Sequence, residues 1–350
     1  MNPLPEISVI VPVLNEASTL PSLIEGLARQ REVTLEIILS DGGSRDGSLE
    51  IAERAAEAIA APLVIVTGEP GRGGQLNRGA VRSRGEFLLF MHADSFFPEA
   101  HALRNAVDSL RSRCAAEGRD IAGKFRLGFE LSGTGYPFGY YYYESKARLL
   151  RRECSHGDQG LLIPRRLFDR VGPYGGSLPT LAETRLADAL VDEGSLCLLP
   201  ADIRTSARRF ETEGLRERQT LNAIIMNFAA LDWQLFFDRF PHVYPRQDQA
   251  GPLPLRKILR RIGQLIGTLP LRERLALWHG TGAYVRSNAW QLAFAGDCLL
   301  NYRRGLAPGT GSLPLLSLHD RHMDHMIRNG AATVLTSLLV RIWFFLSTFR

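Results

Sequence analysis

The chain is 350 residues long, with 45% hydrophobic and 23% charged residues, an ordinary globular composition with room for a large core and a second, smaller unit. Its net charge of +5 is unevenly placed: residues 1–200 carry 22 basic and 26 acidic side chains, whereas 201–350 carry 20 and 11. That basic second part suits an anionic membrane or an acidic substrate, and without zinc-finger spacing or an RNP-like aromatic motif nucleic acid is set aside as a partner.

Cys114, Cys154, Cys197 and Cys298 are widely spaced and form no C-x-x-C, which argues against a structural zinc site and fits reduced thiols in a cytoplasmic protein. Ile7–Leu14 is too short for a secretory signal, contains Pro12 and lacks a basic leader.

In chain order, Ile7–Val13 reads as a buried strand, followed by the Asn15-Glu16 turn and a helix with Leu20, Leu23, Ile24 and Leu27 at helical spacing. Leu35–Leu39 is a second strand, Glu50–Ala60 a helix and Leu63–Val66 a third strand. A short helix over Gln75–Arg84 leads to a fourth strand, Phe87–Met91. Helix to about Ala116, strand near Gly123–Phe129, strand Leu161–Ile163, helix from Arg165, helix Leu181–Val191, short strand Leu196–Leu199 and helix Leu215–Phe237 follow. Strands alternating with helices predict an α/β fold with a mostly parallel sheet. The aromatic stretch from Tyr136 to Tyr143 suits either an acceptor-side wall or simple packing. Pro241, Pro245, Gly251, Pro252 and Pro254 mark a boundary, so residues 1–240 are expected as one domain and 241–350 as a helical C-terminal extension.

Three stretches carry chemistry. After the second strand, Asp41-Gly42-Gly43-Ser44 offers a carboxylate for a base or ribose and glycines for close backbone approach, or merely a helix-capping loop. Gly71-Arg72-Gly73-Gly74 brings backbone N–H groups and a guanidinium suited to phosphate, with Asn77 one helical turn further on. His92-Ala93-Asp94 directly follows a buried strand, where ligands of open α/β sheets collect; an imidazole and a carboxylate there suit a divalent metal, and the metal a diphosphate.

Together these pieces resemble the family 2 glycosyltransferases, which have the GT-A fold with its Rossmann-like sheet. Ile7–Glu16 looks like their opening strand and turn, Asp41–Ser44 like their nucleoside loop, and His92-Ala93-Asp94 stands where the family has its D-x-D metal motif. The Gly71-Arg72-x-x-Gln75-x-Asn77 segment, the His-Ala-Asp variant and Gly157-Asp158-Gln159-Gly160 are similar to a bacterial subfamily associated with radical-SAM and selenium-domain proteins, including arsenosugar-biosynthesis members. The resemblance implies a nucleotide-sugar donor held by Asn15, Glu16, Asp41, Ser44, Arg72, Asn77 and Arg209, Mg²⁺ or Mn²⁺ on Asp94 and His92, an acceptor of unknown identity and inversion at the anomeric carbon. The family's basic Asp is matched by Thr184, which is no base at neutral pH, so Glu183 is the first choice as general base and Asp158 the second.

Two other readings compete. A nucleotidyltransferase of similar topology is disfavoured by Pro12–Glu16, where its glycine-rich loop would stand. A catalytically silent binding protein is favoured by Thr184 and disfavoured by Asp41, Arg72 and Asp94. In the tail, Ala331–Phe349 is mostly apolar, but Thr333, Ser337 and Arg341 recur at four-residue spacing. Arg341 in mid-bilayer would cost roughly 2.5–3.5 kcal/mol. The expectation is therefore a cytoplasmic catalytic domain at the inner face of the membrane with at most a peripheral, salt-sensitive contact through the C-terminal helix, the alternative being a helix packed on the protein's own core.

Overall fold

Ile7–Val13 forms β1, and six of its seven residues are buried because a parallel strand is covered by helices on both faces. The structure, a computed structural model, describes residues 4–59, 61–175, 181–243 and 251–349. Chain packing divides it into two units, Met1–Leu131 with Tyr143–Ser206, and Ser132–Tyr142 with Ala207–Arg350. The first break between the units on the C-terminal side thus falls at Ser206/Ala207, earlier than the proline-rich stretch.

In the first unit β1 is followed by α1 (Leu20–Ala28), β2 (Leu35–Asp41), α2 (Ser48–Ala58), β3 (Leu63–Thr67), α3 (Arg72–Arg82) and β4 (Phe87–Phe90). β1 pairs in parallel with β2 and β4, and β2 with β3. Then come β5 (Ser95–Phe96), α4 (Ala102–Glu117), β6 (Ala122–Glu130), α5 (Phe138–Ala147, which straddles the two units), β7 (Leu161–Pro164), α6 (Arg165–Val171), α7 (Ala182–Asp192) and β8 (Leu196–Ser206). Among the described residues the strands lie in the order β3-β2-β1-β4-β7-β6-β8-β5. β7 runs antiparallel between β4 and β6, and β5 antiparallel on β8, so the sheet is mostly parallel with antiparallel strands grafted on one side.

Two elements differ from the sequence expectation for identifiable reasons. α3 starts at Arg72, three residues early, because Gly71 (φ 141°) turns the chain directly into the helix. β8 is 11 residues long rather than four; the expectation stopped at Pro200, but the register against β6 shifts between Lys124 and Arg126, and such an irregularity accommodates a proline inside a strand.

The second unit contains α8 (Arg208–Glu213), α9 (Leu215–Ala230), α10 (Gln234–Val243), α11 (Leu255–Gly267), α12 (Leu271–Ser287), α13 (Trp290–Arg303), α14 (Pro314–Leu318), α15 (Asp324–Ile327) and α16 (Gly330–Phe349). The single helix expected over Leu215–Phe237 is two, interrupted where Asp232 takes a left-handed φ of 50°. Pro245 lies outside the described residues. The aromatic stretch packs: Tyr141 and Phe138 stand 5.3 and 5.7 Å from the Tyr302 ring, and Tyr142 stands 5.5 Å from Phe294.

Candidate active site

The first unit gathers the chemistry-bearing loops at the carboxyl ends of its parallel strands. Val13 and Asp41 are register partners at the ends of β1 and β2, so the loops that follow are neighbours. Asn15, in a left-handed conformation (φ 57°), donates its N–H to Ser44 Oγ (2.9 Å) and accepts from Arg45 N–H at its Oδ1 (2.9 Å). Glu16 N–H donates to Ser48 Oγ (2.8 Å). The Asp41 carboxylate accepts from Gly43 N–H (2.8 Å), Ser44 N–H (3.1 Å) and Ser44 Oγ–H (2.5 Å). Asn15, Glu16, Asp41 and Ser44 are therefore brought together. Asp41 is buried and already shapes its own loop, but it does not cap the following helix, whose N-cap is Gly47.

A residue singled out only as part of a motif ties this edge to the next strand end. The buried Gln75 amide donates to Val13 O (2.8 Å) and Ser40 O (2.7 Å), and its carbonyl accepts from Gly71 N–H (3.2 Å). Gly42 must be glycine-sized beside it: a Cβ there would stand 3.1 Å from both Gln75 Nε2 and Pro70 Cα.

The densest cluster lies where α3 meets α7. Gly73 allows the approach, since a Cβ on it would stand 3.1 Å from Ala182 Cβ. Arg72, first in α3, is thereby set against Glu183 in the first turn of α7: the guanidinium donates to Glu183 Oε2 at 3.3 Å and lies 3.0 Å from His92 Nε2. His92 Nε2 is 3.5 Å from Glu183 Oε1. Burial works against the charge on Glu183, but Arg72 and His92 overcome it and hold its pKa at about 2. The Glu183 carboxylate also presses on the backbone of Gly157, where a Cβ would fall 2.0 Å from Oε1.

Asp158 belongs to the same cluster electrostatically. Burial pushes its carboxyl up; the charges of Glu183 and Asp94 add to this, and those of His92 and Arg72 oppose it. Its Oδ1 is buried without a hydrogen-bond partner, which in a native site calls for an explanation such as an ion. β4 ends at Phe90, one residue before the expected end, and Ala93 and Asp94 form the turn that leads into β5. Asp94 Oδ1 accepts from Thr205 Oγ1–H at 3.3 Å, a support from β8 that the short predicted strand did not include.

The segment bearing Gly157 and Asp158 is anchored by a residue the sequence did not announce. Lys124 on β6 is buried, and its ammonium donates to Leu149 O (2.8 Å), Cys154 O (3.1 Å) and Ser155 Oγ (2.8 Å). Burial lowers its pKa to about 8. Only an apolar strand pattern broken by one lysine could have hinted at it.

Other expected residues have partners of their own. Asn77 makes a reciprocal pair with the Tyr174 backbone, both bonds 2.8 Å. Thr184 is buried, its Oγ1 3.1 Å from His156 Nδ1. Arg209 belongs to α8 of the second unit, where its Nε lies 3.1 Å from Glu213 Oε1.

Among the described residues no three His, Cys, Asp or Glu side chains are grouped so as to hold a metal by themselves. Mg²⁺ commonly takes only one or two carboxylates and completes its shell with water and substrate phosphate. The surplus of carboxylates over cations, with one orphaned oxygen on Asp158, fits such a substrate-completed site.

Comparison with known proteins gives the following. The model of "Glycosyl transferase family 2" matches residues 8–159. A PGL/p-HBAD biosynthesis glycosyltransferase of Mycobacterium tuberculosis (strain ATCC 25177 / H37Ra) is 31% identical over 181 residues, covering 51% of this chain and 67% of that protein. An undecaprenyl-phosphate 4-deoxy-4-formamido-L-arabinose transferase of Pseudomonas paraeruginosa is 35% identical over 129 residues, covering 35% of this chain and 36% of that protein. Among solved structures, S. aureus TarS 1-349 in complex with UDP superposes with a TM-score of 0.51 at 16% identity, covering 86% of this chain and 92% of that one; a likeness at that identity concerns the fold.

Proposed function

This chain belongs to glycosyl transferase family 2 and is a glycosyltransferase of GT-A-type fold, and we propose that it transfers sugar at the cluster of Arg72, His92, Asp94, Asp158 and Glu183. The observation that carries the proposal is the contact of Arg72 with both His92 and Glu183, beside the orphaned Asp158 oxygen. The donor is a nucleotide sugar. Its nucleoside would lie on the edge built from Asn15, Glu16, Asp41 and Ser44, and its diphosphate against Arg72 and the N-terminal turn of α3, whose first N–H groups have no partner within the helix. Gln75 and Asn77 would position these loops, and Arg209 is carried as a diphosphate contact by resemblance alone.

Mg²⁺ or Mn²⁺, held by Asp94 and His92 with Asp158 alongside, would neutralise charge on the departing diphosphate. The acceptor hydroxyl oxygen attacks the anomeric carbon, the bond from that carbon to the diphosphate breaks, and inversion results. Glu183 takes the hydroxyl proton. With a pKa of about 2 it is a weak base while Arg72 holds it, and transfer of Arg72 to the diphosphate would release it. Asp158 is the second reading, favoured by its raised pKa, since a base works best with a pKa near the working pH.

Residues 1–240 are proposed as the transferase domain with 241–350 as its extension, and the inner face of a membrane as its place of work. The lipid phosphate in the name of one relative supports that location. The narrower likeness to the radical-SAM-associated subfamily rests on the motifs alone. The test is a panel of nucleotide sugars with Mg²⁺ or Mn²⁺ present. Release of nucleoside diphosphate is expected; release of pyrophosphate from a nucleoside triphosphate would instead support nucleotidyl transfer, and binding without turnover a silent protein.

A further inference from the structure

The second unit ends in a helix that is inside out for a protein surrounded by water. α16 turns its small polar residues inward: Thr333, Ser337 and Thr348 are buried. Ser337 Oγ–H donates to Trp278 O on α12 (2.9 Å), and Gly282 of α12 lets the two backbones touch, since a Cβ there would stand 2.7 Å from Thr333 O. At the far end Arg260 of α11 donates to Thr348 O (3.3 Å). The outward face is Val334, Leu335, Leu338, Leu339, Ile342 and Phe345, all exposed, Leu335 and Phe345 by about 60% (59% and 60%). Those positions recur at helical spacing, so they form one continuous stripe. Leu271 and Leu275, also exposed, lie two turns and one turn before Trp278 on α12, whose ring meets Phe344 of α16 at 5.5 Å; they extend the stripe sideways.

What covers this face is indicated by charge. α11, which touches α16 through Gly263 and Phe344, has the sequence LRKILRRIGQLIG, with four cations and no acid. Arg256, Lys257, Arg260 and Arg261 are all exposed, and Ile258, Leu259, Ile262 and Ile266 are buried. An apolar ridge flanked by a basic helix matches a bilayer surface with anionic headgroups. We propose that the outward face of α16, with the Leu271–Leu275 edge of α12, docks into the headgroup region of an anionic bilayer while the α11 cations engage lipid phosphates. The helix lies in the membrane plane and does not span it, because α11 and α12 clasp it at both ends and their charges would have to cross with it. This docking is independent of the catalytic reading.

The test is flotation of the full chain with vesicles of phosphatidylcholine alone or mixed with phosphatidylglycerol. Binding to the mixed vesicles is expected, released by carbonate. Leu335→Asp with Leu339→Asp should abolish it without loss of helical circular dichroism, as both side chains are exposed. Arg256→Gln with Lys257→Gln should weaken it about thirtyfold. Three results would overturn the proposal: no flotation with either vesicle, resistance to carbonate, or a self-association in lipid-free solution that the double Asp variant dissolves.

Discussion

Glu183 is the residue on which the mechanism turns, and its contacts make two predictions. Glu183→Gln should lower turnover on the order of 10²–10⁴-fold while donor affinity, measured by nucleotide-sugar titration, stays within a few-fold. If Asp158→Asn gives that pattern and Glu183→Gln does not, the base is Asp158. Gly157→Ala is a second, independent probe: its Cβ would fall 2.0 Å from Glu183 Oε1, so the carboxylate must move. Displacements of about 1 Å in an active site can lower rates about 100-fold. A loss of that order with little change in Tm is expected, and an Ala variant with undiminished turnover would show that the position of Glu183 is immaterial. At this scale the sequence was informative about what stands at strand ends and silent about what supports it. His92 and Asp94 stood out because they follow an apolar run, and Arg72 because it stands in a glycine-rich turn. Lys124 and Thr205 did not, nor did the bonds of the motif residue Gln75, because their partners are backbone groups or residues 25 to 111 positions away.

At the scale of elements, alternation of strand and helix was readable up to β4, because each strand is a short, mostly apolar run. It failed at β8, whose Pro200 masks a continuing strand, and at β5, which is two residues long. The end of the sheet away from the site has its own fastening. Glu36 on β2 is buried and accepts from Ser8 Oγ–H (2.6 Å), Arg84 N–H (2.7 Å) and the Arg84 guanidinium (2.9 Å). Burial opposes its charge, but these bonds hold its pKa below the usual 4.5. A depressed carboxylate pKa stabilises the fold above the unfolded value, and that stability is lost as pH falls through the folded one. Chemical denaturation should therefore show this contribution fully present at neutral pH and declining below about pH 4.5. Glu36→Gln should cost about 1–3 kcal/mol at pH 7 and flatten the acid limb; an unchanged acid limb would remove Glu36 as its source. The tail shows a different limit. Its polar stripe was legible, and of its members Thr333 and Ser337 face protein; Arg341 is exposed and its guanidinium sits 6.0 Å from the Trp278 ring.

For the whole molecule, the family resemblance and the α/β architecture were legible because most of the motifs and the first four strands lie in one stretch, residues 8–159. The partition into units was not, since Ser132–Tyr142 joins the helical unit across more than sixty intervening positions, a long-range association that no local composition marks. The central claim is that a nucleotide sugar is turned over at the cluster around Arg72 and Glu183 with a divalent cation at Asp94. It is tested most directly by measuring nucleoside diphosphate release by the wild-type chain and by Asp94→Ala, each with Mn²⁺ and with chelator. The account predicts turnover only for the wild type with the cation, with Asp94→Ala folded and inactive. Full turnover by Asp94→Ala in chelator would contradict it.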